Sequence, residues 1–261
     1  MRFELLLLRV AYGIGLALAA GCSMAYTAPP PGADFKAIGL TPQQRDALTD
    51  DNISAALSKK PLAAFPTAIA VARIESPGYH SDTAQSYGTG KYSVVFVRDV
   101  EKPEQFDRLS KLPMIAGIAP LNPLLLPSDL QDQRDLRHAA ALLHADMLLV
   151  YTLDTKFMNQ DMAGVLTVFT LGASPNQHIS VVTTASAVLV DTRNGYIYGT
   201  AEASEKRDGL SNAWFSEAAA DGSRRDTESA AFGKLVDDLQ TTWTGVVKQY
   251  ATTPTTRPAA Q

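Results

Sequence analysis

Eight apolar residues near the end of the chain recur at the spacing of one helical face. They are separated by 3, 1, 3, 4, 3, 1 and 3 positions, and they are Phe232, Leu235, Val236, Leu239, Trp243, Val246, Val247 and Tyr250. Because an α-helix turns once in ~3.6 residues, these positions form a single apolar stripe along about five turns of a helix. The stripe is expected to cover one face of a sheet, and the alternative is that it packs against another protein.

The segments before this helix carry strand and helix signals. Strands are predicted at 67–75, 92–98, 114–119, 146–154, 165–171, 179–191 and 197–204, where β-branched and apolar residues are dense. The run from Asp146 to Asp154 is nearly all apolar, which is typical of a strand buried on both faces. Asn194-Gly195 predicts a hairpin turn, because this pair readily takes positive φ. Helices are predicted at 43–58, at 103–112 and from Ser128 to about His144.

This order predicts one α+β domain, with a mixed or mostly antiparallel sheet covered by helices and a long C-terminal amphipathic helix. The domain is expected to span residues 41–251, between a proline-rich tether at 22–40 and a disordered tail at 252–261. A composition of 46% hydrophobic and 19% charged residues excludes a disordered chain and a polytopic membrane protein. The net charge of -4 argues against a nucleic-acid partner.

The first 21 residues have the organisation of a secretory signal peptide. Two arginines precede Val10–Ala20, an uncharged apolar run of eleven residues. This run is shorter than the ~20 residues of a transmembrane helix, but it fits the apolar region of a signal. It leads into Leu18-Ala-Ala-Gly-Cys22-Ser23, which resembles the lipobox of bacterial lipoproteins. The resemblance implies cleavage between Gly21 and Cys22 and a diacylglyceryl thioether on Cys22.

Cys22 is the only cysteine of the chain. The alternative to lipidation is an incidental cysteine after an ordinary signal. Two or three acyl chains would anchor the protein stably, so the expected membrane contact is the lipid on Cys22 and not a helix. Ser23 resembles an outer-membrane sorting signal, which implies the periplasmic face of the cell envelope, with the outer membrane favoured over the inner.

No arrangement of residues indicates a catalytic, cofactor or metal site, so we expect none of the three. Gly88-Thr89-Gly90-Lys91 resembles the end of a phosphate-binding loop. It lacks the upstream glycine and the following serine or threonine, and a strand follows where that motif opens a helix. The histidines are His80, His138, His144 and His178, and no two of them have the i, i+4 spacing of a helical metal site.

A polar loop is predicted between Ser76 and Gly90. Tyr79, His80 and Tyr87 stand among its small polar residues. Aromatic side chains on a loop are suited to contacting a protein or a glycan, which makes these three residues candidate partner contacts. The alternative is a long loop with packed tyrosines.

Two further motifs resemble a module of bacterial envelope lipoproteins. In His138–Tyr151 a helix ends in Ala-Asp and enters a central strand, and in Val188–Gly195 a strand leads into an apolar-Asp-x-x-x-Gly hairpin. The curli secretion lipoprotein family and the N-terminal domain of the Tol-Pal periplasmic protein share this arrangement. Over about residues 66–250 the chain is similar to the rhombotarget lipoproteins, which carry no catalytic residues to transfer.

The resemblance implies a lipid-anchored, non-enzymatic protein that binds or organises other envelope components. Its expected partner is an unidentified envelope protein or glycan. One alternative is a ring-forming secretion-type subunit, which would be a homo-oligomer. The other is an envelope enzyme with a dispersed site.

Overall fold

The computed structural model describes residues 32–35, 38–39, 49–79, 81, 83–161, 177–211 and 217–251. Several sequence predictions fall outside these ranges. They are the signal peptide with Gly21 and Cys22, most of the tether at 22–40, the first part of the helix at 43–58, the loop residue His80, the strand at 165–171 and the tail at 252–261.

Seven strands of the described residues form one mixed sheet. They are β1 (Thr67–Glu75), β2 (Gln85–Tyr87), β3 (Ser93–Val97), β4 (Ile115–Pro120), β5 (Met147–Asp161), β6 (Gln177–Asp191) and β7 (Ile197–Ser211). The order across the sheet is β2-β3-β1-β5-β6-β7, and β4 pairs with the first half of β1. β1 runs parallel to β4 and β5, whereas the other pairs are antiparallel. The predicted mixed sheet is confirmed.

Strands β5, β6 and β7 are fifteen residues long, so β5 and β7 extend well beyond their predicted ends. β5 pairs directly with β6 from Met147↔Asp191 to Asp161↔Gln177. The predicted hairpin between β6 and β7 is confirmed, with Gly195 at a φ of 69°. The short strand β2 lies inside the segment predicted as a loop, because it pairs with β3, which sequence alone did not indicate.

The described residues form four α-helices, and the last of them is followed by one turn of π-helix at Val247–Ala251. They are α1 (Asp50–Ser58), α2 (Pro103–Ser110), α3 (Gln133–Leu142) and α4 (Glu217–Val246). None of them combines the length and the apolar character that a membrane span requires.

Helix α3 begins at Gln133, and the prediction that Ser128 caps it is wrong. Asp132 is the cap: its carboxylate accepts from the backbone N–H of Arg134 at 2.7 Å, and Asp135 reaches back to the N–H of Asp132 at 3.1 Å. This reciprocal arrangement satisfies N–H groups that the first helical turn leaves free. Residues 128–130 run instead beside residues 89–91, where Thr89 N donates to Ser128 O at 2.9 Å.

The two faces of the sheet are covered by different helices. The predicted stripe of α4 packs on one face, and its central residues Phe232, Leu235 and Val236 are 0–1% exposed. α3 packs on the opposite face through Leu136. Every residue of β5 from 147 to 153 is buried, which confirms the prediction of a strand enclosed on both faces.

Part of the segment expected to be a tether packs against the domain. Gly32 forms a β-bridge with Glu75, and Ala33 N donates to Thr152 Oγ1 at 2.9 Å. A Cβ at position 32 would lie 2.6 Å from that hydroxyl oxygen, so only glycine fits there. Ile38 is fully buried. The packed part of the chain therefore begins at Gly32 or earlier.

Candidate functional site

A cluster of charged side chains is buried between the end of β1 and the first half of α4. We refer to it as the ion network. Its members have side chains no more than 4% exposed, and they are Arg73, Glu75, Asp99, Glu101, Arg224 and Glu228.

The backbone explains how the members meet. Side chains alternate along a strand, so Arg73 and Glu75 project from the same face of β1. Arg224 and Glu228 are four residues apart on α4 and therefore lie on one side of the helix. The loop between β3 and α2 supplies the remaining two carboxylates.

Arg73 is the centre of the network. Its Nε donates to Glu75 Oε1 at 2.7 Å, and its Nη1 lies 3.4 Å from Asp99 Oδ1 and 3.5 Å from Glu101 Oε2. Its Nη2 donates to the Tyr79 hydroxyl at 3.2 Å. A single guanidinium thus joins strand β1 to two loops.

Arg224 anchors helix α4 to the same cluster. Its Nη1 donates to Glu228 Oε2 at 2.6 Å, and its Nη2 donates to Asp99 Oδ2 at 3.1 Å. The other oxygen of Glu228 accepts from Thr155 Oγ1 on β5 at 2.9 Å. The helix, the sheet and the β3–α2 loop are therefore tied together by charge-assisted hydrogen bonds, which are stronger than neutral ones.

The network holds four buried carboxylates against two guanidinium groups. Burial raises the pKa of Glu75 to about 8 although Arg73 pulls it down, and the negative charges of Glu228 and Glu101 add to the rise. Glu75 Oε2 is also buried without a hydrogen-bond partner among the described residues. Burial raises the pKa of Glu228 as well. Burial opposes ionisation of Asp99, but the hydrogen bond from Thr83 and the charges of both arginines outweigh it and lower its pKa.

Perturbed carboxyl groups of this kind are found both in catalytic sites and in structural ion networks. Here the charged atoms are turned toward one another and enclosed by β1, β5 and α4. A substrate in solution would not reach them without the domain opening. The arrangement is therefore suited to clamping the segments around it.

The two tyrosines of the predicted loop do not form one exposed surface. Tyr79 is only 7% exposed, and the Arg73 guanidinium lies 5.5 Å from the centre of its ring. Tyr79 is thus held inside the domain and is not available to a partner in this structure. Tyr87 is half-buried, and its hydroxyl donates to Leu126 O at 3.5 Å. Both follow the packed-tyrosine alternative, and His80 lies outside the described residues.

The glycines beside Lys91 have a packing explanation. Gly90 lies so close to Leu130 that a Cβ would overlap the Leu130 backbone, and Gly88 takes a φ of 104°. These features let residues 89–91 pair with residues 128–130, as in the 2.6 Å bond from Lys91 N to Leu130 O.

His138 and His144 are both exposed. Within the described ranges, no group of three or more His, Cys, Asp or Glu side chains is placed to hold a metal ion.

Sequence reasoning missed the ion network, although two local signals pointed to it. Opposite charges two residues apart in an apolar strand, Arg73 and Glu75, lie on one face and cannot both reach water if that face is covered. The i, i+4 pair Arg224 and Glu228 is the equivalent signal on a helix. Nothing local indicated that these two pairs meet.

Comparisons with known proteins give weak similarities to solved structures, two of which show how low the similarity is. No family model and no curated protein matches the chain. A candidate lipoprotein from Caulobacter crescentus CB15 is 16% identical, with a TM-score of 0.25, over 46% of this chain and 82% of that one. A DUF330 protein from Xanthomonas campestris is 10% identical, with a TM-score of 0.30, over 73% of this chain and 92% of that one. Similarities this low assign neither a family nor a function to this chain.

Proposed function

We propose that the protein is a lipid-anchored component of the cell envelope with a non-catalytic binding or scaffolding role. The observation that carries this proposal is the lipobox-like sequence Leu18–Ser23 and its position relative to the domain. Nine residues, Ser23–Pro31, separate Cys22 from Gly32, which pairs with β1. The ten steps from Cys22 to Gly32 span at most about 36 Å, since each residue adds ~3.3–3.6 Å. A lipid on Cys22 would therefore hold the domain close to the membrane surface.

The contacts of the ion network support a non-catalytic role for its buried charged side chains. Its carboxylates accept from arginine, threonine or tyrosine, as in the 2.6 Å bond from the Tyr151 hydroxyl to Glu101. The network joins five segments of the chain into one body. A rigid domain tethered close to a membrane presents a fixed surface, which suits the binding or organisation of an envelope protein or glycan.

Cys22→Ser tests the anchor. The substitution removes the thiol that would carry the lipid, so the variant is expected to move from the membrane fraction to the soluble periplasmic fraction. Ser23→Ala is the matched control, since it changes the next residue and keeps the thiol, and it should remain in the membrane fraction. Mass spectrometry of the N-terminal peptide should show acyl chains on Cys22. A free thiol, or a Cys22→Ser protein that stays with the membrane, would contradict the proposal.

A further inference from the structure

A pocket of about 320 Å³ lies where β1 changes its pairing partner. β4 pairs with β1 up to Val71↔Pro120, and β3 pairs with β1 from Arg73↔Val95. β3 and β4 therefore stop pairing with β1 at nearly the same point, and an opening remains between the two strands. Its volume falls at the lower end of the range of about 300–1,000 Å³ that small-molecule sites occupy.

The pocket has an apolar wall with one cation in it. Val71, Phe106, Ile118 and two prolines line the wall, together with Arg98. The Arg98 guanidinium lies 5.2 Å from the centre of the Phe106 ring, a distance at which the ring face attracts a cation. The aromatic contact therefore holds the guanidinium at the pocket.

Arg98 lacks the acceptors that the other enclosed arginines have. Arg73 and Arg224 are surrounded by carboxylates, and Arg137 donates to two backbone carbonyls. The Nε of Arg98 is shielded from solvent, yet it has no hydrogen-bond acceptor among the described residues. A shielded Nε is not itself open to a ligand, but Arg98 lines the pocket and forms no ion pair with a carboxylate of the described residues, so the charge of this guanidinium is left for an anion in the pocket to balance.

The chemistry of the pocket defines the class of ligand. Arginine presents planar N–H donors that match the geometry of a carboxylate or a phosphate. The apolar wall beside it suits a short hydrocarbon body. We propose that this pocket binds a small amphiphilic anion, with its carboxylate or phosphate on Arg98 and its apolar part against Phe106 and Ile118. This inference goes beyond the proposed function and does not depend on lipidation of Cys22.

Asp107 allows a prediction of whether anion binding becomes tighter or weaker. Its exposed side chain lines the same pocket, where its negative charge opposes an incoming anion. Asp107→Asn should therefore tighten binding several-fold, whereas Arg98→Gln should weaken it at least ~10-fold by removing the charge-assisted bonds. Arg108→Gln is the matched control, since that exposed arginine pairs with Asp237 and does not line the pocket.

The experiment is isothermal titration of the purified full chain in one detergent, with octanoate, octyl phosphate, octanol and inorganic phosphate as probes. The two amphiphilic anions should bind more tightly than neutral octanol, and comparing them shows whether carboxylate or phosphate is preferred. Inorganic phosphate, which has no apolar part, should bind most weakly of the anions.

Arg98→Gln should weaken the binding of both octyl anions and leave that of octanol unchanged, with an unaltered circular dichroism spectrum. If that variant does not fold, the wild-type preference for octanoate over octanol still decides. The proposal is overturned if wild-type protein binds octanoate no better than octanol, or if Arg98→Gln binds the anions as the wild type does.

Discussion

Replacing Glu75 with glutamine tests the excess negative charge of the ion network. The pKa of Glu75 is raised to about 8 in the folded protein from 4.5, so the folded state holds this proton more tightly than the unfolded state does. The stability that results is fully present below the unfolded pKa and is lost as the pH rises toward the folded pKa. Between pH 6 and pH 8 the loss is about 2 kcal/mol, since one pKa unit corresponds to ~1.4 kcal/mol.

The other carboxylates of the ion network do not reverse this loss of stability with rising pH. The raised pKa of Glu228 acts in the same direction. Asp99, whose pKa is lowered, stays ionised at both pH values and adds no change. In Glu75→Gln the side chain is neutral at every pH and keeps an oxygen that accepts from Arg73, so its stability should fall by about 2 kcal/mol less over this range.

The measurement is urea unfolding at pH 6 and pH 8, followed by circular dichroism and by tryptophan fluorescence, to which Trp243, 4% exposed in the folded protein, contributes. Glu104→Gln, at an exposed position in the first turn of α2, is the control and should follow the wild-type pH dependence. If wild type and Glu75→Gln lose the same stability between the two pH values, the reasoning from the buried carboxylates is refuted.

Two further predictions concern stability and use urea unfolding as their measurement. Arg224→Met should cost about 3–5 kcal/mol, because it removes the closer of the two guanidinium groups that the buried Asp99 and Glu228 share and leaves only that of Arg73. Arg225→Met on the same helix is its control, since this arginine is 41% exposed and should cost less than about 1 kcal/mol. Gly195→Ala should cost about 1–2 kcal/mol, because position 195 has a φ of 69° that disfavours any side chain. An unchanged midpoint for Gly195→Ala would mean that the turn adapts.

The sequence predicted those elements whose signal is local. The stripe on α4 and the apolar run of β5 were correctly identified, because each is set by residues within one segment. The turn at Gly195 depends on two adjacent residues and could be predicted from the sequence in the same way. Serine and aspartate are equally good caps, and Asp132 caps α3 because Asp135 completes a capping box with it while Ser128 pairs with Thr89.

Features that depend on distant pairing were not predictable in this way. The parallel alignment of β1 with β5 joins segments that lie more than seventy residues apart, from Ile69↔Met147 onward. β2 exists because β3 offers it a partner. The ion network likewise needs the first half of α4 to lie over the end of β1, as in the 3.8 Å approach of Arg73 to Glu228. In each case the information is in the packing and not in any one stretch of sequence.

The outer edge of β7 shows how the C-terminal helix does more than cover a face. Three side chains of α4, four residues apart, reach backbone groups of β7 that are two residues apart. The contacts are Lys234 Nζ to Ser204 O at 3.3 Å, Glu202 N to Asp238 Oδ2 at 3.1 Å and Thr242 Oγ1 to Thr200 O at 3.4 Å.

The two spacings agree, since four helical residues rise ~6 Å and two strand residues rise ~6.6 Å. Backbone groups on an outer strand that would otherwise recruit another strand are thereby occupied. A ring built by continuing the sheet from residues 200–204 would first have to displace α4, whose stripe residues from Phe232 to Val246 are buried in the core. Strand addition at residues 200–204 is therefore blocked for as long as α4 stays on the sheet.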